Sequence, residues 1–237
     1  MEPELKIYTK EIPAKGKGYF VIEKCWPDQM DVAVRRGASA LLAQGATRIY
    51  IASRDPAAAL AAGQGDGYRL EFRHDMLGME RVLGDDRPRP TGRLTFEPLK
   101  RENGGVWLAI YNESFFDVPN SSTYDKNDLE QLLGEKYRCG IALLDGIPVG
   151  IYELGFKKEY PEIGSVGLTK AARGKGLGRE LLLSAMDMCA ELGYKKAWLQ
   201  VSTANESAYA LYRKVGFQVS DLLSHWYEVI SEGDLRV

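Results

Sequence analysis

A chain of 237 residues, 45% hydrophobic and 27% charged, is long enough for a sizeable core and ordinary in composition for a globular protein. A net charge of −2 supplies no global attraction to nucleic acid or to an acidic membrane, and no apolar run approaches the ~20 residues that span a bilayer. The start, Met1-Glu-Pro-Glu4, is acidic and lacks the apolar stretch of a secretory signal. Cys25, Cys139 and Cys189 are scattered and odd in number, which suits free thiols in a reducing cytoplasm. With His74 and His225 as the only histidines, no metal site is expected.

Taken in chain order, Gly18–Glu23 reads as a strand and residues 28–44 as a helix, with Asp28 as N-cap and Gly45 at its stop. Thr47–Ala52 reads as a strand, Ala57–Ala62 as a short alanine-rich helix, and Tyr68–Arg73 as an alternating strand. Gly84-Asp-Asp-Arg-Pro-Arg-Pro-Thr-Gly92, with two prolines and four charges, reads as an extended, solvated linker. The expected domains are therefore 1–84, a linker at 85–93, and 94–237.

The second domain opens with a strand at Leu94–Leu99 and a helix at Glu102–Phe116, whose apolar side is expected to carry Val106, Ile110 and the Phe115–Phe116 pair. A polar loop follows, and Asp125, with Asp128 at the third helical position, is placed to start a helix over Lys126–Leu133. Cys139–Asp145 and Val149–Phe156 read as strands around a turn at Gly146-Ile-Pro148. A last strand is expected at Ser224–Ile230. Hairpins followed by a crossover helix imply a mixed sheet with helices on both faces.

The densest signal lies at Ser165–Gly178. Ile163–Leu168 reads as a buried strand. A glycine-rich turn then carries Lys170, Arg173, Lys175 and Arg179 with no acidic residue among them. A helix follows, with Glu180, Ser184, Asp187 and Glu191 on one face, Leu181, Leu182, Ala185, Met188, Cys189 and Leu192 on the other, and Gly193 at its stop. Strand, glycine turn and helix make an anion site, because the first helical N–H groups lack partners and glycines let the backbone approach an oxyanion closely. The bland reading is a tight basic turn. Gly174-Lys175 is followed by Gly176 rather than Ser or Thr, so the Walker pattern fails. Gly174-x-Gly176-x-Gly178 also misses the dinucleotide spacing.

Arg173-Gly-Lys-Gly176-Leu-Gly178 resembles the Arg/Gln-x-x-Gly-x-Gly/Ala loop of the GNAT superfamily of acyl-CoA N-acyltransferases. Downstream, Asn205-Glu-Ser-Ala208-Tyr-Ala-Leu211-Tyr212-Arg-Lys-Val-Gly216-Phe217 is similar at every position to that family's Asn-x-x-Ala-x-x-Leu-Tyr-x-x-x-Gly-Phe signature. The resemblance covers roughly Leu94–Ile230. It implies the GNAT fold, a mixed and mostly antiparallel central sheet flanked by helices, with acetyl-CoA as co-substrate and no metal. It also implies that Arg173, Gly174, Lys175, Gly176, Leu177 and Gly178 wrap the pyrophosphate. By the same resemblance, Val166, Gly167 and Leu168 pair with the pantetheine arm, the Leu168 N–H faces the thioester oxygen, Asn205 contacts the pantetheine, and Tyr212 protonates or hydrogen-bonds the leaving sulfur.

The first region echoes the second: with Gly45 aligned on Gly193, Arg48-Ile-Tyr-Ile51 falls on Lys196-Ala-Trp-Leu199. Its turn, Cys25-Trp-Pro-Asp-Gln29, holds no glycine. A degenerate half-repeat of this kind is expected not to bind coenzyme A, and to serve packing or homodimerisation.

Acyl transfer to an amine also needs a base. Glu153, mid-strand in Val-Gly-Ile-Tyr-Glu-Leu, and Glu162 are the candidates, each with the alternative of a salt-bridged or solvated strand residue. Asn205 is equally readable as an N-cap, Tyr212 as a core aromatic, and Tyr209 competes with it one turn earlier. Tyr111, Glu113, Tyr124 and Tyr152 are placed to line an acceptor pocket. The expectation is direct acetyl transfer to the primary amine of a small molecule or peptide. The alternative is a non-catalytic acyl-CoA-binding regulatory module. A kinase-like enzyme lacks its Lys-Ser/Thr and metal carboxylates.

Overall fold

The computed structural model describes residues 2–53, 64–65 and 67–233; the helix expected at Ala57–Ala62 lies outside them. The chain divides into two compact units. One comprises Met1–Leu77, Ser202–Ala204 and Leu222–Val237, and the other Gly78–Val201 and Asn205–Asp221. This differs from the expected division. Residues 78–93 go with the second unit, and the final strand, from Leu222, goes with the first. Strand pairing decides membership, and a strand's distant partner leaves no mark on local composition.

The first unit contains β1 (Glu4–Tyr8), α1 (Ile12–Lys15), β2 (Lys17–Lys24), a 3₁₀ turn at Pro27–Gln29, α2 (Met30–Ala43), β3 (Arg48–Ser53) and β4 (Gln64–Gly65). It also holds the N-terminal part of β5 (Tyr68–Val82). β1 is antiparallel to β2, and β2 is parallel to β3, with Phe20 opposite Ile51. Phe20, Val34, Ala38, Leu41, Ile49, Ile51, Tyr68 and Val229 form its core. Gly37 lets the Phe20 ring against α2, since a Cβ there would lie 2.7 Å from three ring carbons. Asp28 falls in the 3₁₀ turn, and Gln29 occupies the N-cap position of α2 without a side-chain cap. Asp75 and Thr203 exchange two hydrogen bonds, 3.0 Å from the Asp75 N–H to the Thr203 hydroxyl and 2.9 Å from the Thr203 N–H to the Asp75 carbonyl. These bonds tie the Ser202–Ala204 segment to the first unit.

The second unit takes the rest of β5, then β6 (Thr95–Pro98), α3 (Gly104–Phe115), α4 (Lys126–Leu132), β7 (Tyr137–Leu144), β8 (Ile147–Gly155) and β9 (Glu162–Leu168). A 3₁₀ turn at Lys170–Ala172, α5 (Leu177–Glu191), β10 (Lys196–Ser202) and α6 (Glu206–Lys214) follow. The last strand, β11 (Gln218–Ser231), begins in this unit and pairs with β3 in the first, Trp226 opposite Ala52. β6 to β9 are successive antiparallel neighbours, and β9 is parallel to β10. This is the expected mixed, mostly antiparallel sheet. Asp145 (φ 52°) and Gly146 (φ 78°) form a two-residue hairpin turn, so Ile147 and Pro148 already belong to β8 and not to the turn.

One sheet face carries Cys139, Ile141, Leu143 and Ile151 against Trp107, Ile110, Tyr111 and Leu132 of α3 and α4. On α3 the buried positions are Trp107, Ile110, Tyr111 and Ser114, while Val106 and Phe116 are exposed; the apolar stripe is therefore rotated from its expected place. Asp125 caps α4 as expected, accepting from the Asn127 and Asp128 N–H groups while Asp128 accepts from the Asp125 N–H.

The polar face of α5 is covered over Glu180 and Ser184, while Glu191 is exposed. The Glu180 carboxylate accepts from the Thr91 N–H and hydroxyl, at 2.9 Å each, and from the Arg93 N–H at 3.0 Å. Arg87 donates to Asp187 at 2.8 Å. Glu180 and Ser184 are buried beneath this lacing, and so is Arg87. The stretch expected as a free linker is stitched along the helix, because its charges match those of that face.

Candidate active site

β8 accompanies β9 to its end, with Gly150 opposite Leu168. On the other edge, β9 and β10 pair where they begin, at Trp198 opposite Glu162. The β9–β10 ladder is registered at that pair, and Val166–Leu168 pair with β8 but not with β10. Gly164 bulges from the β8–β9 ladder, where the register slips between Glu153 and Leu154.

At the open end the chain turns twice through left-handed backbone, Gly174 at φ 74° and Gly176 at φ 75°, before α5 starts. A Cβ at either glycine would meet nothing within 4 Å. These glycines are therefore required by backbone conformation and not by packing inside. Gly176 is the N-cap of α5 and offers no side-chain cap, so the first N–H groups of a fifteen-residue helix lack a capping side chain. Leu177, 1% exposed, anchors the turn from below. Arg93 donates to the Lys175 carbonyl at 3.2 Å and steadies it from the side. Arg173 and Lys175 are exposed.

Arg173 does more than present a charge. Its Nε donates to the Leu168 carbonyl at 3.3 Å, and its Nη2 to the Ser114 carbonyl at 3.1 Å. The Ser114 hydroxyl also donates to the Leu168 carbonyl, at 2.9 Å. Gly167 is glycine for a different reason from Gly174 and Gly176: a Cβ there would lie 2.8 Å from Phe115 Cε2 and 2.9 Å from Ser114 Cβ. The Lys170 N–H donates to Glu113 at 2.7 Å, which places Glu113 under the basic turn rather than in a pocket wall.

Gly178 brings the remaining parts together, since its Cβ position lies 3.7 Å from Leu168 Cδ1 and 3.9 Å from Leu211 Cδ2 of α6. Asn205 caps α6, accepting from the Ala208 N–H at 3.4 Å. Tyr212 packs on Phe217 with ring centroids 6.1 Å apart, and burial pushes its phenol up to about 12. Tyr209 is committed elsewhere, accepting from Arg213 at 3.5 Å.

Glu153 lies on the α3 side of the sheet, 7% exposed, and accepts from the Ser165 hydroxyl at 2.8 Å. Desolvation raises its carboxyl above the ordinary range; the Ser165 bond opposes that and Glu162 adds to it. Trp107, Tyr111 and Tyr124 stack nearby, with the Tyr111 and Tyr124 centroids 4.0 Å apart. Burial, joined by the neighbouring tyrosine and by Glu153, pushes the Tyr111 phenol well up. Glu162 is taken by Gln200 at 2.9 Å. Tyr152 faces away from this cluster, edge-on to Phe96.

The end of β9 unpaired with β10, the paired left-handed glycines before an uncapped helix, and the tyrosine helix beside them agree with a match of residues 105–217 to the family described as Acetyltransferase (GNAT) family. Residues 105–217 are a GNAT-family domain. A mycothiol acetyltransferase from Thermomonospora curvata is 32% identical over 177 residues, which is 68% of this chain and 56% of that protein. Another, from Clavibacter michiganensis subsp. michiganensis, is 29% identical over 170 residues, 68% and 55% of the two chains. The chain thus spans little more than half the length of these relatives. Among solved structures, a GCN5-related N-acetyltransferase from Sphaerobacter thermophilus matches with a TM-score of 0.64 at 19% identity, over 95% of this chain and 74% of that one. A tandem GNAT protein from the clavulanic acid biosynthesis pathway matches with a TM-score of 0.57 at 13% identity, over 91% and 76%. Both share the fold. Ser114, Arg93 and the lacing at Glu180 steady the glycine turn and the start of α5, and they escaped the sequence reading. A serine near a helix end and charges in a proline-rich stretch carry no local signal of distant partners.

Proposed function

We propose that the chain transfers the acetyl group of acetyl-CoA to a primary amine of a small molecule or peptide, by direct attack within a ternary complex. The observation that carries this reading is the uncapped start of α5 behind Gly174 and Gly176, at the open edge of β9 and beside α6. The space a Cβ would take at both glycines suits a pyrophosphate held by backbone amides, Arg173 and Lys175. Leu177 and Gly178 supply the first helical turn. Val166, Gly167 and Leu168 would present backbone groups to the amide-bearing pantetheine, with Asn205 at the far wall. The acetyl-CoA supplies the activated thioester.

Two residues would handle protons. Glu153, buried with its carboxyl raised, suits a base that takes a proton from an ammonium. Tyr212 stays protonated far above neutral pH, so it can donate throughout the working range. A phenol near 12 is a weaker acid than a thiol near 8.5, so Tyr212 would stabilise the departing thiolate through a hydrogen bond more than by complete transfer.

The named relatives support acetyl transfer; their acceptor does not carry over at this identity and coverage. The first unit would be a degenerate half-copy of the fold without a donor site, in keeping with a tandem arrangement in one structural neighbour. Titration with acetyl-CoA, paired with thiol release over a panel of amines, tests the reading. Binding with transfer that Tyr212→Phe reduces supports it. Binding with no transfer to any amine would favour an acyl-CoA-sensing module, and absence of binding would refute both.

A further inference from the structure

Outside the acetyl-transfer site, the second unit holds a groove of about 380 Å³ lined by Glu80, Arg81, Val82, Asp86, Gly216 and Gln218. Arg81, near the end of β5, lays its guanidinium against the α-carbon of Gly216; a Cβ there would stand 2.9 Å from Cζ. Gly216 holds φ 94°, a conformation that itself favours glycine. The glycine of the Gly216-Phe217 pair thus has a second duty here, which is to make room for this arginine.

The charges around the groove are unevenly committed. Glu80 is paired with Lys196. Arg87 is held by Asp187 and by the Gly84 carbonyl. Arg81 Nε is buried and has no hydrogen-bond partner among the described residues. Burial pulls the Arg81 pKa down, Asp86 opposes that and Arg87 adds to it. Asp86 is exposed and lines the same groove. Val82 adds apolar surface to the lining, 68% exposed. A half-buried guanidinium with an unmade hydrogen bond at its buried Nε gains most from a carboxylate.

We propose that this groove binds a small zwitterion, an apolar amino acid, with its carboxylate on Arg81, its ammonium toward Asp86 and its hydrocarbon side chain on Val82. The site is independent of the acetyl-transfer reading and belongs to the same unit. It would make the free amino acid an effector rather than the group being acetylated.

The test is amide and arginine-side-chain NMR on the full chain, with L-leucine as probe. Two one-charge analogues accompany it, 4-methylpentanoate without the ammonium and 3-methylbutylamine without the carboxylate. A saturable shift of the Arg81 Nε–H and Gly216 N–H resonances is expected with L-leucine, with binding at least ~tenfold weaker for each analogue. Arg81→Gln and Asp86→Asn should each weaken L-leucine binding by ~tenfold or more, with unchanged acetyl-CoA binding. Asp86 is exposed, so its variant keeps the test available if Arg81→Gln fails to fold. No saturable shift, equal binding of an analogue, or unchanged affinity in the folded variants would overturn the proposal. So would an Arg81 Nε–H already protected in the free protein, since that would reveal a closed Arg81–Asp86 pair.

Discussion

In each unit a strand hands over to a helix, α2 of fourteen residues or α5 of fifteen. Each helix is followed by a glycine at strongly positive φ, Gly45 at 85° or Gly193 at 88°, and a parallel strand begins three residues later at Arg48 or Lys196. The entry turns differ. α5 is entered through Gly174 and Gly176 in left-handed backbone, whereas α2 is entered through a 3₁₀ turn ending at Gln29, φ −106°. The strand, helix, glycine stop and parallel strand correspond, and among the described residues the pair of left-handed glycines precedes α5 and not α2. The crossover supplies a scaffold, and the few residues before the helix decide whether its amides face a ligand.

The comparison breaks first at Gly176. Gly176→Val should lower acetyl-CoA affinity ~100-fold or more, by straining the left-handed turn and covering the amides. Gln29→Val, at the corresponding position of the first unit, should leave it unchanged. Calorimetric titration of both variants decides this, and equal losses would show that the entry turn is not what distinguishes the units.

Next in size is Tyr212→Phe, expected to cut kcat ~10–100-fold while the acetyl-CoA dissociation constant holds. Steady-state kinetics beside titration separates the two quantities.

Glu180→Gln should cost about 1–3 kcal/mol near neutral pH, since three donors from the 91–93 segment lose an ionised acceptor. Burial works against the Glu180 charge, but the Thr91 and Arg93 donors outweigh it and hold the carboxyl below its ordinary value. Its stabilisation is thus present above the unfolded pKa and lost as pH falls through the folded one. Urea melts at neutral and acid pH should show the deficit of the variant shrinking in acid.

Glu153→Gln should behave oppositely. The folded carboxyl is raised, so the wild type loses stability as pH climbs from the unfolded pKa toward the folded value. The variant, neutral throughout, should match the wild type in acid and gain on it at neutral pH in the same melts.

The smallest expected effect sharpens the correspondence itself. Gly45→Ala and Gly193→Ala both force alanine into positive φ with nothing within 4 Å of the new carbon. Each should cost about 1–2 kcal/mol from backbone strain alone, and the two costs should agree. A large disparity in thermal melts would mean the stops are not equivalent.

Much of the second unit was legible because its signals are local. Asp125 with Asp128, the Asp145–Gly146 turn and the glycines before α5 each act within a few residues of themselves. Glu153 could be singled out as a charge where a strand interior should be apolar. The lacing of Arg87, Thr91 and Arg93 onto α5 could not, because prolines and charges look the same on a free linker and on a strap. β5 was cut short at Arg73, because Arg73-His-Asp-Met-Leu-Gly78 breaks the alternation that marks a half-buried strand. The return of β11 to the first unit depends on its pairing with β3, about 175 residues earlier in the chain.

The two bonds that Arg173 makes to backbone carbonyls change what a conservative replacement means there. Its guanidinium fastens the last turn of α3 to the end of β9, using donors set at fixed angles. A lysine would keep the positive charge but could not grip both carbonyls from one planar fork. Charge and clasp are separable properties of this one side chain. Arg173→Lys would remove the clasp, leaving the Ser114 hydroxyl to hold the helix that carries Tyr111 to the Leu168 carbonyl.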